Sequence, residues 1–210
     1  MTGNLIIISS PSGGGKGTLI KEVRGMMPEL AYSVSYTTRP LRFGEENGRE
    51  YHFVSKEQFE QLIAKGEFLE YAEVHGNLYG TSRGESEKMV AAGKDLIVEV
   101  DVQGAIQIMD RLETGHVSIY ILPPSFEVLK ARLTARATED QAELSTRLKN
   151  SFSEVLEYSH FKYVVINQDL SAAARQIAGI IVAERQLQDR QTEVVQDILN
   201  SFDASRHLYT

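Results

Sequence analysis

The sequence predicts an α/β fold, a parallel sheet flanked by helices, and three observations lead there. Leu5-Ile6-Ile7-Ile8 is an apolar run too short for a buried helix and rich in β-branched residues, so it reads as a central strand. Similar runs recur at 96–101, 117–122 and 161–167. Between and after them, apolar residues fall at helical spacing, as in Leu19, Ile20, Val23 and Met27 or Leu170, Ala173, Ile177, Ile180 and Ile181.

The first strand runs into a loop of small residues, Ser9-Ser10-Pro11-Ser12-Gly13-Gly14-Gly15, followed by Lys16-Gly17-Thr18 and a helix. Strand, glycine loop, lysine, helix is the phosphate-cradling arrangement. Missing side chains let successive backbone N–H groups turn inward around a polyphosphate, the helix adds its positive end, and the lysine reaches the β- and γ-phosphates. Consecutive glycines are entropically costly for a mere connection. The usual pattern has Gly where this chain has Ser10, and Ser or Thr where it has Gly17. Thr18 therefore carries the hydroxyl one residue further along.

With 210 residues the chain is expected to form one domain with a substantial core. It contains no cysteine, which excludes disulfides and thiolate metal sites and suits a reducing, cytoplasmic setting. A net charge of −7 argues against nonspecific nucleic-acid binding, so bound phosphates call for local arginine clusters. No apolar run approaches a membrane span, and the N-terminus lacks the regions of a signal peptide.

Taken in order, Ala31–Tyr36 alternates as a strand. The stretch 35–53 then gathers Arg39, Arg42 and Arg49 with Ser35, Thr37, Thr38 and Tyr51. Arginine forks suit a phosphate monoester, though an exposed polar loop has the same composition. Ser55-Lys56-Glu57-Gln58 predicts an N-capped helix with Phe59, Leu62 and Ile63 on its apolar face. Residues 66–74 alternate as a strand, and His75-Gly76-Asn77 turns into Leu78-Tyr79-Gly80-Thr81. Glu99 and Asp101 end an otherwise apolar strand, at the carboxyl edge where open parallel sheets bind ligands. Ser125 is expected to cap a helix carrying Phe126, Leu129 and Leu133 on one side and Lys130, Arg132 and Arg136 on the other. Val194, Val195, Ile198, Leu199 and Phe202 predict a last amphipathic helix. It is expected to pack on the core, the alternative being a subunit contact that would make the chain a homodimer rather than a monomer. The histidines, His52 and His75 among them, lack metal-ligand spacing.

The phosphate loop, Ser35-Tyr36-Thr37-Thr38-Arg39, Arg42, Tyr51-His52-Phe53, Glu70-Tyr71, Gly76–Thr81, Glu99–Gly104 and the arginine-rich segment 132–147 follow one another in an order that resembles the guanylate kinase family. The resemblance covers roughly residues 4–186. It implies a P-loop NTPase three-layer fold with a core (1–33, 93–125 and 159–187), an α+β acceptor-binding insertion (34–92), a helical lid (126–158) and an extra helix (188–210). By the same resemblance the reaction is phosphoryl transfer from ATP, with Mg2+, to GMP and dGMP. Ser10, Pro11, Ser12, Gly13, Gly14, Gly15, Lys16, Gly17, Thr18 and Asn167 would hold ATP. Ser35, Arg39, Arg42, Tyr51 and Tyr79 would hold the GMP phosphate. Glu70 and Thr81 would face the base, with Glu99 and Asp101 near the acceptor. Thr18, and Asp101 through water, would neighbour magnesium. Arg132, Arg136 and Arg147 would close over the phosphates. The family usually has Gly where Ala137 stands, which implies a stiffer hinge, and an acidic residue where Gln168 stands.

Guanine suits Glu70 chemically. Its N1–H and 2-amino group lie side by side, and one carboxylate can accept from both, whereas AMP would leave that carboxylate unpaired. Two other readings compete: a catalytically silent scaffold that binds peptides in the acceptor cleft, and a related kinase acting on AMP or a sugar phosphate. The intact glycines, Lys16 and the lid arginines speak against the first, and the acceptor set from Ser35 to Thr81 against the second.

Overall fold

The computed structural model describes residues 2–74, 76–112, 115–135 and 141–208. Two sheets organise them. The larger has the order β2-β7-β1-β8-β9, built from β1 (Leu5–Ser9), β2 (Ala31–Tyr32), β7 (Leu96–Glu99), β8 (His116–Leu122) and β9 (Tyr163–Ile166), all parallel. β1 lies in its middle because a strand of consecutive isoleucines needs cover on both faces. Ile6 and Ile8 pack with Leu19, Ile20 and Val23 of α1 (Lys16–Met26) and with Ile177 and Ile181 of α7 (Leu170–Arg185). Leu5 and Ile7 pack on the other side, with Ala105 and Ile108 of α4 (Val102–Leu112) and with Tyr120 and Phe161. The period of two along the strand thus feeds two separate apolar layers.

The second sheet, ordered β4-β3-β6-β5, comprises β3 (Tyr36–Thr37), β4 (His52–Phe53), β5 (Phe68–Val74) and β6 (Asn77–Ser82). The single strand expected at Ala31–Tyr36 is two short ones, β2 in the large sheet and β3 in the small. Both are extended, so alternation alone could not reveal that the chain changes sheets between them. α2 (Lys56–Ala64) starts as its sequence predicts: Ser55 Oγ accepts from Gln58 N at 3.1 Å, and Gln58 Oε1 accepts from Ser55 N at 2.9 Å. α3 (Arg83–Ala91) follows β6 and leads back to the large sheet. α5 (Phe126–Ala135) and α6 (Gln141–Glu154) stand over the carboxyl edge of that sheet. Arg136 and Ala137 lie outside the described residues.

The last helix, α8 (Thr192–Ser205), corrects one expectation. Val194, Val195, Ile198, Leu199 and Phe202 are between 45% and 72% exposed, so the apolar face does not pack on the core. A short 3-10 turn at Gln188–Gln191 leads into α8; Arg190 bonds to the Thr2 carbonyl and Gln191 to that of Arg185. Helical spacing reports that an apolar face exists, not what covers it. Among the described residues, no helix is long and apolar enough to cross a membrane.

Candidate active site

The loop between β1 and α1 closes because Gly13 and Gly15 adopt φ of 83 and 86, the left-handed region that side chains disfavour. Gly15 is the N-cap of α1 with no side-chain cap bond, which leaves the first-turn N–H groups for a ligand. A Cβ on Gly15 would sit 2.6 Å from Asn167 Nδ2, and one on Gly14 would sit 2.8 Å from Ser10 Cβ. Ser10 thus fits because Gly14 yields the space, and its hydroxyl donates to the Pro11 carbonyl at 3.0 Å.

Asn167 stands behind this loop. Its Nδ2 donates to the Gly14 carbonyl at 3.0 Å, and Arg132 donates to the Asn167 carbonyl at 2.8 Å and to Gly14 O at 3.4 Å. Asn167 and Arg132 therefore brace the loop from the side away from β7. Lys16 reaches across from α1, and its Nζ donates to the Val100 carbonyl at the end of β7. Burial lowers the Lys16 pKa, while Glu99, Asp101, Glu154 and Glu70, in that order, act to raise it. Four carboxylates thus act on one partly buried ammonium at the cleft.

A cleft of about 1140 Å³ opens from the loop. Residues 10–17 line it, with Glu99, Asp101 and Gln103 from the end of β7 and the start of α4, Arg42 and Tyr51 from the stretch before β4, and Arg147 and Glu154 from α6. Thr18 is exposed and does not line the cleft, unlike the other residues of the motif. Arg147 Nε donates to Ser12 Oγ at 2.8 Å, and Glu154 Oε2 accepts from Ser12 N at the same distance. Helix α6 therefore already touches the phosphate loop.

Arg39, Tyr51 and Tyr79 come together in one cluster. The Arg39 guanidinium lies 5.4 Å from the Tyr51 ring and 5.5 Å from Phe53, and Tyr51 meets Tyr79 edge-on at 5.8 Å. Glu45 holds the Arg39 fork through two bonds, 2.8 and 3.1 Å, and accepts from Arg42 N at 2.8 Å. The Arg39 fork and the Arg42 N–H hold the Glu45 carboxyl below its ordinary range. Ser35 lies half-buried on the chain between Tyr32 and β3, its carbonyl accepting from His52 N at 2.9 Å.

Glu70 is 4% exposed. Thr81 Oγ1 donates to its Oε1 at 2.7 Å, and Gly104 N donates to Asp101 Oδ1 at 2.7 Å. A methyl group on Gly104 would lie 2.8 Å from Glu70 Oε2 and 3.3 Å from Asp101 Oδ1, so only glycine lets α4 come this close to both carboxylates. Burial pushes the Glu70 pKa up to about 7, and the Asp101 charge pushes the same way. The Thr81 hydrogen bonds and the Arg111 charge oppose them. Glu99 sits apart from this pair, accepting from the Tyr32 hydroxyl at 3.0 Å.

The guanylate kinase family model matches residues 2–184. The chain belongs to the guanylate kinase family. A guanylate kinase of Neisseria meningitidis is 47% identical over 199 residues, covering 95% of this chain and 97% of that protein. One of Geobacter metallireducens is 43% identical over 201 residues, covering 96% and 97%. The crystal structure of guanylate kinase from Anaplasma phagocytophilum superposes with a TM-score of 0.75 at 35% identity, covering 90% of this chain and 89% of that one. The P-loop three-layer architecture is that of these guanylate kinases.

Sequence reading did not single out Glu45, Tyr32, Glu154 or Gly104. Glu45 was legible in principle, since Gly44, with φ of 85, turns the chain so that a carboxylate six residues on meets Arg39. Glu154 and Tyr32 carry no local signal, because their partners lie 142 and 67 positions away.

Proposed function

We propose that this chain transfers the γ-phosphoryl group of ATP to GMP, giving ADP and GDP, with both nucleotides held in the one cleft. It is an enzyme of the guanylate kinase family. The observation that carries the residue roles is that the phosphate loop, Lys16, Arg42, Tyr51 and Asp101 line one cleft, with the buried Glu70–Thr81 pair packed beside Asp101 across Gly104. No observation favours a silent scaffold, since the loop glycines, Lys16 and Arg147 all stand on the cleft.

In this reading residues 1–33, 93–125 and 159–187 form the catalytic core, 34–92 the acceptor insertion and 126–158 the lid. Lys16 and the N–H groups of residues 13–17 hold the donor phosphates. Arg39, Arg42, Tyr51 and Tyr79, with Ser35, hold the acceptor phosphate, while Glu70 and Thr81 read the base. The nucleophile is a GMP phosphate oxygen, anionic at neutral pH, so no general base is required. Catalysis is positioning plus charge neutralisation. Arg132 and Arg147 contribute from the lid side, and Arg136 belongs with them by sequence.

Magnesium, when bound with ATP, neutralises donor phosphate charge. The residues fit such an ion: two carboxylates, Glu99 and Asp101, line the cleft. That suits a cation that keeps its waters and takes most of its remaining oxygens from the nucleotide. Glu99 and Asp101 would act on it through water, and the exposed Thr18 is the weaker neighbour.

An ADP-release assay across GMP, dGMP, AMP, UMP and a sugar phosphate tests the substrate directly; AMP or the sugar phosphate outrunning GMP would overturn it. Arg39→Ala should lower turnover with GMP by about 10³ and leave ATP affinity nearly unchanged. Equal losses for both nucleotides would place Arg39 elsewhere than on the acceptor phosphate. Light scattering addresses assembly: a chain ending at residue 187 that halves the mass would mark α8 as a homodimer contact, and an unchanged oligomeric state would rule that contact out. Such a reaction belongs to purine nucleotide metabolism, and the cysteine-free chain suits a reducing, cytoplasmic setting.

A further inference from the structure

β5 is the edge strand of the small sheet, and its outward carbonyls meet α4 instead of another strand. Gly104, Gln107 and Arg111 lie at i, i+3 and i+7 on that helix, so they form one stripe facing β5. Gly104 borders the Glu70 carboxylate, Gln107 Nε2 donates to the Tyr71 carbonyl at 3.3 Å, and the Arg111 guanidinium donates to Phe68 O at 3.2 Å and Leu69 O at 2.5 Å.

Those two carbonyls mark a break in the ladder. Phe68 pairs with Ser82, but Glu70 pairs with Thr81, so one extra residue is inserted between them. In an unbroken antiparallel ladder Glu70 would stand opposite Gly80, two positions from Ser82. The bulge moves it opposite Thr81, whose hydroxyl it accepts. It also explains why Phe68, Leu69 and Glu70 are buried in succession, against strand alternation. A bulge frees backbone carbonyls, and here the pair is held by one nitrogen, Nη1 of Arg111.

We propose that Arg111 is a positioning residue for base selection: its guanidinium clamps the bulge at Phe68 and Leu69 and so fixes the Glu70 carboxylate beside Thr81. Arg111 acts through Glu70, so this role presupposes that Glu70 reads guanine. Its charge has a second effect. The groups facing Glu70 are Thr81, Asp101, Arg111 and, further off, Lys16; Asp101 opposes ionisation of Glu70 and Arg111 favours it.

The test uses the full-length enzyme and compares kcat/KM for GMP with that for inosine monophosphate, which keeps N1–H and lacks the 2-amino group. Glu70→Gln serves as the control for the base reading. Arg111→Ala should lower the GMP-to-inosine-monophosphate preference by roughly 10- to 100-fold, the scale of a misplaced binding group, with KM for ATP nearly unchanged. Arg111→Lys should restore part of it, and the pH profile for GMP should move to higher pH in the alanine variant as Glu70 loses a nearby cation. A purely structural arginine would reduce active enzyme and slow both acceptors equally, leaving the ratio and the profile in place. Should the alanine variant fail to fold, Arg111→Gln, which keeps one donor without the charge, should show a smaller fall in the ratio together with the full move of the pH profile, and neither reading depends on the folded fraction. A wild-type ratio in the arginine variants with a collapsed ratio in Glu70→Gln overturns the role of Arg111 alone. A wild-type ratio in Glu70→Gln overturns the base reading, and this role with it.

Discussion

Glu70→Gln should collapse the preference for GMP over AMP by about 10⁴, because a site built around a buried hydrogen-bonding group rejects ligands that leave it unpaired. The carboxylate can accept from guanine N1–H and the 2-amino group together. A glutamine offers one acceptor, and its amide nitrogen opposes the other donor. Steady-state kcat/KM for both acceptors, taken as a ratio, measures the effect; a preference that survives within tenfold would remove Glu70 from base reading.

The same residue sets a pH dependence. Its carboxyl titrates at about 7 in the folded chain against an ordinary 4.5. A raised carboxyl favours the folded state most below pH 4.5, and that contribution is lost as the pH rises through 7. The difference is about 3 kcal/mol, on the order expected from 1.36 kcal/mol for each pH unit. Free Glu70→Gln should therefore melt above the wild type at pH 8 and lose that advantage near pH 5. GMP prefers the ionised form, so binding below pH 7 should expel a proton, and GMP affinity should weaken as the pH falls. Calorimetric titration in buffers of unlike ionisation enthalpy reads the proton directly.

Lys16→Met should cut turnover by about 10³, the upper range for removing one preorganised donor at a site of developing charge. Lys16 bonds to the Val100 carbonyl, and its ammonium feels the charges of Glu99, Asp101 and Glu154; in the proposed reading it meets the donor phosphates. Removing it leaves their charge to repel the incoming triphosphate. GMP affinity, measured by titration without ATP, should change little, since Lys16 makes none of the proposed acceptor contacts. A loss below tenfold in single-turnover phosphoryl transfer would show that the loop N–H groups suffice. Arginine is no substitute at this position, because its planar fork needs more room than an ammonium beside a carbonyl.

Much of this site is legible from residue order. The glycine loop announces itself because only glycines fit at Gly13 and Gly15, and the carboxyl-edge position of Asp101 follows from the apolar strand before it. Less legible is anything that depends on register. Glu70 reads as an ordinary strand residue until the bulge after Phe68 turns it beside Thr81, and nothing local encodes that insertion. The bracing of the loop by Asn167 and Arg132 is equally hidden, since residues more than a hundred positions away close over Gly14. Thr18 shows the opposite failure: its hydroxyl suits a metal neighbour by type, yet the first turn of α1 carries it out of the cleft.

The order of strands has a consequence for how the protein is made. Of the five strands of the large sheet β1 is translated first, and it is the middle one, while its two neighbours, β7 and β8, end at Glu99 and Leu122. At ordinary elongation speeds roughly ten seconds pass before both flanks exist. Until β7 is made the nascent chain displays this apolar segment with no mate on either side, and from there to Leu122 with a mate on one side only, so the growing polypeptide is most exposed to aggregation before β7 has been translated.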